Sequence, residues 1–179
     1  MWDYARFSDE AWRARCHPKI LNVLEQWDFR QSMLVLGPTG SGKSSGIVAR
    51  LYRELERLTA LVQETGEAHT FDFAYTTGLD LSGCRRRSKI GAEATLISHL
   101  ASKRLIIIDE VGFEPPGEEL LAVIDRHYIG GGTIVVCSGL TLEAFDARYG
   151  GALRRRIVER GMLLNGHPAR NKGQVRSVG

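Results

Sequence analysis

Met33-Leu34-Val35-Leu36-Gly37-Pro38-Thr39-Gly40-Ser41-Gly42-Lys43-Ser44 sets a short apolar run, a glycine-rich turn and the start of a helical pattern in immediate succession. The turn fits GxxxxGK[ST], and the strand before it and the helix after it are the context that gives that pattern meaning. Gly37, Gly40 and Gly42 open backbone conformations that other residues avoid, so successive N–H groups can converge on one concavity. A helix starting at Lys43 brings its partial positive end to the same point, which suits a chain of phosphates. In that arrangement Lys43 reaches the β- and γ-phosphates and the Ser44 hydroxyl holds Mg²⁺. The expected nucleotide contacts are Gly37, Pro38, Thr39, Gly40, Ser41, Gly42, Lys43, Ser44 and Ser45.

A second anchor lies at Leu105-Ile106-Ile107-Ile108-Asp109-Glu110. Four apolar residues predict a buried strand beside the phosphate-loop strand. The two carboxylates emerge at its C-terminal end, where ligands sit in open α/β sheets. Asp109 is expected to hold the hydration shell of Mg²⁺. Glu110 is placed to polarise an attacking water as a general base, which favours hydrolysis over simple phosphate transfer. The next apolar run, Thr133-Ile134-Val135-Val136-Cys137, ends at Ser138, a candidate sensor of the γ-phosphate. Arg154-Arg155-Arg156 then stand in a helical segment, where three adjacent side chains cannot all face one way. One of them supplied to a neighbour's nucleotide would stabilise transition-state charge.

Outward from these anchors, strands alternate with helices. Apolar positions between residues 8 and 29 recur at helical spacing around Pro18. A long helix is predicted from Lys43 to Thr65, with Ile47, Leu51, Leu55 and Leu58 on one face, ending near Gly66. A strand is expected over 70–75, a glycine-punctuated basic stretch over 78–91 and a helix over 92–102. Pro115-Pro116-Gly117 opens a helix carrying Leu120, Leu121, Val123 and Ile124, stopped by Gly130-Gly131-Gly132. Thr141 caps a further helix, 153–158 is helical and 162–164 is a last strand. Such alternation means an α/β fold with a central parallel sheet flanked by helices on both faces.

The 179 residues make one domain, with 43% hydrophobic and 25% charged residues as in ordinary globular chains. Three widely spaced cysteines, none in a C-x-x-C pair, fit reduced thiols in a cytoplasmic protein. The segment Met1-Trp2-Asp3-Tyr4-Ala5-Arg6 lacks the apolar centre of a secretory signal. A net charge of +3 conceals two basic clusters, Arg85-Arg86-Arg87 with Lys89, and the residues from Arg148 to Arg176. Such clusters track a nucleic-acid backbone or face an anionic partner. A guanine-specific Asn-Lys-x-Asp motif is not completed at Asn171-Lys172-Gly173-Gln174, which narrows the nucleotide to ATP.

The order of these features resembles the AAA+ core of the DnaC/IstB-like ATPases, the helicase loaders and transposition helpers. The resemblance is carried by residues 37–44, by Asp109-Glu110-Val111-Gly112 and by the segment from Leu120 to Tyr128. It continues in Cys137-Ser138-Gly139-Leu140 and in Tyr149-Gly150-Gly151-Ala152-Leu153-Arg154-Arg155-Arg156. It implies a P-loop NTPase of the AAA+ (ASCE) type without a large C-terminal lid. Residues 1–30 then form a short helical segment, 31–170 the ATPase core and 171–179 a flexible basic tail. It implies Mg²⁺-dependent ATP hydrolysis, with Glu110, Lys43, Arg156 and Ser138 in catalytic roles and Ser44 and Asp109 toward the metal. Arg156 falls best on the family's trans-acting arginine, so a homo-oligomer is expected, acting on single-stranded DNA or on a DNA-bound helicase or transposase. With 36 residues before Gly37, the family's separate N-terminal partner-binding domain is expected to be absent or reduced. Ser138 stands where many relatives carry Asn. Two other readings fit the same motifs: a small-molecule P-loop kinase, and a nucleotide-gated DNA-binding module with negligible turnover.

Overall fold

The computed structural model describes residues 5–87, 92–115 and 117–168. Two short helices, α1 (Glu10–Arg15) and α2 (Pro18–Gln26), lead into β1 (Ser32–Leu36) and the long α3 (Lys43–Thr65). Then follow β2 (Phe73–Thr77), α4 (Gly78–Arg87), α5 (Ala92–Ala101), β3 (Leu105–Val111) and α6 (Glu119–Ile129). The chain closes with β4 (Thr133–Ser138), α7 (Leu142–Tyr149), α8 (Gly151–Val158) and β5 (Gly161–Asn165).

The five strands form one parallel sheet in the order β2-β3-β4-β1-β5. Alternate residues of each central strand enter opposite cores, as the strand period of two requires. Leu34, Leu36, Ile106, Ile108, Ile134 and Val136 pack with α4 to α8, around Leu81, Leu100, Ile124, Phe145 and Ile157. Met33, Val35, Ile107, Val135 and Cys137 face the other way, onto Ile20 and Leu24 of α2 and Ile47 and Leu51 of α3. Burial on both faces is why these strands read as unbroken apolar runs.

Several sequence expectations change. β4 lies between β1 and β3, so the strand bearing Asp109 is not the immediate neighbour of the phosphate-loop strand. Equally apolar central strands carry no mark of their order in the sheet, so spacing along the chain does not reveal it. The strand expected over 70–75 is displaced to Phe73–Thr77, in register with Leu105–Asp109 of β3. Residues 78–87 are helical despite Gly78 and Gly83, because Leu81 is anchored in the core. In α3 only the first turns are covered: Ile47 and Leu51 are buried, whereas Leu55 lies exposed beyond the edge of the packed layer. Leu121 likewise faces outward on α6. The side chains of Arg85, Arg86, Arg87 and Lys89, and the tail from 171, lie outside what the structure describes.

Candidate nucleotide site

The C-terminal ends of β1, β3 and β4 open onto a cleft of about 410 Å³. Its floor is the loop after β1, with Thr39, Gly40, Gly42, Lys43, Ser44 and Ser45 lining it. Gly42 precedes α3 at φ +88°, a left-handed conformation that bends the chain into the helix. A Cβ there would also stand 2.7 Å from the Cβ of Cys16, so the junction of α1 and α2 closes directly on the loop. The same junction donates from the His17 N–H to the Ser41 carbonyl at 3.0 Å.

The Lys43 ammonium donates to the carbonyls of Gly37 at 2.7 Å and Pro38 at 3.0 Å. Burial lowers its pKa, and the proximity of Cys137 and Asp109 works in the opposite direction. A desolvated cation held by two carbonyls and the Ser41 hydroxyl, with no carboxylate partner, at a glycine-rich loop is well placed to take on phosphate oxygens.

Asp109 is only 3% exposed. Its Oδ1 accepts the N–H of Glu110 at 2.8 Å, and its Oδ2 accepts the phenol of Tyr75 at 2.5 Å. Pairing of β3 with β4 breaks between Ile108 and Val111, and within that break Glu110 adopts φ +54°. A left-handed conformation costs a residue with a side chain roughly 1–3 kcal/mol. The strain turns Glu110 out of the strand, and its exposed side chain lines the cleft. Ser44 and Asp109 thus present hard oxygen donors to one cavity, the kind of set Mg²⁺ takes beside phosphates and water. Among the described residues, no cluster of three or more His, Cys, Asp or Glu forms a cage for a metal alone.

Ser138 also borders the cleft, but its hydroxyl is engaged: it donates to the Val111 carbonyl at 2.5 Å and accepts from the Leu140 N–H at 3.2 Å. It ties the end of β4 to the segment after Glu110. The three arginines stand away from the cleft. Arg154 pairs with Asp146 at 2.8 Å and Arg156 with Asp125 at 3.0 Å, while Arg155 is exposed. Pro38 and Ser41 support the loop from beneath through the contacts to Lys43.

The sequence reading missed five participants. Trp12, Arg15 and Cys16 form one wall of the cleft, with the Trp12 indole donating to Ser45 at 3.3 Å. Trp12 falls within the helical spacing of residues 8–29 and is buried, and its indole N–H is the clue to a polar partner. Tyr75 ends the stretch expected as a strand, and burial, then the Asp109 carboxylate, push its pKa far above the phenol range. Phe113, 71% exposed, stands at the opposite lip.

Neither a family model nor a curated protein sequence matches the chain. Solved structures do match its fold. The replication initiator DnaA bound to AMPPCP and single-stranded DNA superposes with a TM-score of 0.60 at 17% identity, over 84% of this chain and 45% of that one. A putative primosome component from Streptococcus pyogenes serotype M3 gives 0.58 at 16% identity, over 94% and 88% of the two chains. DnaI gives 0.53 at 9% identity, over 93% and 87%. The chain therefore spans less than half the length of the DnaA chain it matches. The fold is thus the AAA+-type P-loop fold, shared with structures that include a replication initiator and a putative primosome component.

Proposed function

We propose that this chain is an AAA+ ATPase of the loader kind, which binds ATP with Mg²⁺, hydrolyses it, and acts on DNA or a DNA-bound replication or transposition protein. The observation that carries the reading is the convergence of Lys43, Ser44, Asp109 and Glu110 on one cleft, although the rest of α3, strand β2 and helices α4 and α5 separate the two pairs along the chain. The glycine loop and the N-terminus of α3 cradle the phosphates, and Lys43 exchanges carbonyl partners for β- and γ-phosphate oxygens. Ser44 and Asp109 hold Mg²⁺, which when bound neutralises charge on the phosphates. Glu110, turned into the cleft, orients water and takes its proton. The wall of Trp12, Arg15 and Cys16 bounds the side left for the base. Arg156 serves a neighbouring subunit in a homo-oligomer, after leaving Asp125. Ser138 assists by fixing the strand end rather than through a free hydroxyl.

Similarity to a DnaA bound to an ATP analogue and single-stranded DNA supports nucleotide binding and a replication setting. Among the described residues, no helix is long and apolar enough to cross a membrane. The test is ATP turnover with and without single-stranded DNA, in wild type and Glu110→Gln. The expected result is DNA-stimulated turnover that falls about 100-fold or more in the variant while ATP binding persists. Turnover that ignores DNA and requires a small phosphate acceptor would establish a kinase instead. Binding with DNA association but no turnover would establish a nucleotide-gated module.

A further inference from the structure

Asp109 has two potential partners, Tyr75 on the neighbouring strand and Lys43 in the cleft, and the structure shows which one it has. Its Oδ2 is taken by the Tyr75 hydroxyl at 2.5 Å, from the neighbouring strand β2. Lys43, which borders the same cleft, spends its protons on the Gly37 and Pro38 carbonyls and the Ser41 hydroxyl instead. The other carboxylate oxygen is fixed by the Glu110 N–H at 2.8 Å. Each oxygen of Asp109 therefore has one donor and keeps lone-pair capacity for another.

The phenol is not needed to fill the strand. Tyr75 is 38% exposed, and a phenylalanine would present the same ring to its surroundings. What the hydroxyl adds is a hydrogen bond to a buried carboxylate at a site where a free carboxylate would turn toward the nearest cation. We infer that Tyr75 is a positioning residue: it holds Asp109 in the orientation that serves hydrated Mg²⁺ and keeps it from pairing with Lys43. This rests on the ATPase reading of the cleft and adds to it a residue from an edge strand. An outer partner that orients a metal-binding carboxylate acts on metal affinity without touching the metal.

The experiment is calorimetric titration of the full chain with AMPPCP across a series of Mg²⁺ concentrations and in EDTA, comparing wild type with Tyr75→Phe. Thermal melting of both proteins runs alongside as a check on folding. The expected result is an Mg²⁺ requirement raised about tenfold, the lower end for an outer partner of a metal ligand, with affinity in EDTA unchanged. Adding Tyr75→Phe to Asp109→Asn should then change nothing further, because the pair acts as one unit. An unchanged Mg²⁺ requirement overturns the inference, as does an equal loss of affinity with and without Mg²⁺. Those outcomes leave the ATPase reading standing if wild type still binds AMPPCP more tightly with Mg²⁺. Wild type that binds no nucleotide overturns that reading and this inference together.

Discussion

At the scale of single residues, burial decides protonation. His127 on α6 is 1% exposed, and its Nε2 sits 2.9 Å from the Thr133 carbonyl, while Nδ1 is 3.4 Å from that of Ala101. Burial lowers its pKa below the ordinary value of 6.5, outweighing the two carbonyls, which favour the charged ring. The folded state thus binds fewer protons than the unfolded state in the window below pH 6.5, so stability rises with pH there and is lost as pH falls toward the lowered pKa. Thermal melting at pH 7.5 and 5.5 should show a smaller acid loss in His127→Gln than in wild type, even if the variant melts lower at both. At the cleft, Lys43→Ala should weaken AMPPCP binding by roughly 30-fold or more, about 2 kcal/mol for a lost charge-assisted contact, measured by calorimetry. Lys43, Ser44, Asp109 and Glu110 were legible because their spacing is tied to a local turn or a strand end. Tyr75 was not, because its partner is 34 residues away on another strand.

The elements were legible to the extent that local signals mark their ends. The span of α3 follows directly from Gly42 and Gly66, both left-handed, at its two ends. The cap at Thr141 is present as read, its side chain accepting the Ala144 N–H at 3.2 Å. α4 was hidden by its glycines and its low hydrophobic content, since one buried leucine and the packing of neighbours outweigh propensity. Packing also gives a glycine inside α3 its reason: a Cβ on Gly46 would approach Cδ1 of Leu24 on α2 to 2.7 Å. Gly46→Val should therefore separate α2 from α3, costing about 1–3 kcal/mol for overpacking. In a chain of this size that lowers the melting temperature by roughly 2–4 °C per kcal/mol, read by thermal denaturation. Because α2 leads from the junction that closes on the loop, the same variant should weaken nucleotide binding as well.

At the scale of the whole molecule, the arginine segment lies on α8, tied to α7 and α6, rather than in the cleft. Within one chain Arg156 is held by Asp125 and Arg154 by Asp146. If sites are shared between subunits, Lys43→Ala and Arg156→Ala proteins, each inactive alone, should recover ATP turnover when mixed. Absence of recovery between folded, associating variants counts against the shared site. Alternating apolar runs and a glycine turn sufficed to determine an α/β chain with a glycine-rich loop between a buried strand and a helix, because strand burial and turn geometry are imposed by neighbouring residues. Tertiary structure alone decided that β4 separates β1 from β3, that Tyr75 holds Asp109, and that the α1–α2 junction walls the cleft. Those relations join residues far apart in the chain, and only the competition among buried surfaces for the same space brings them together.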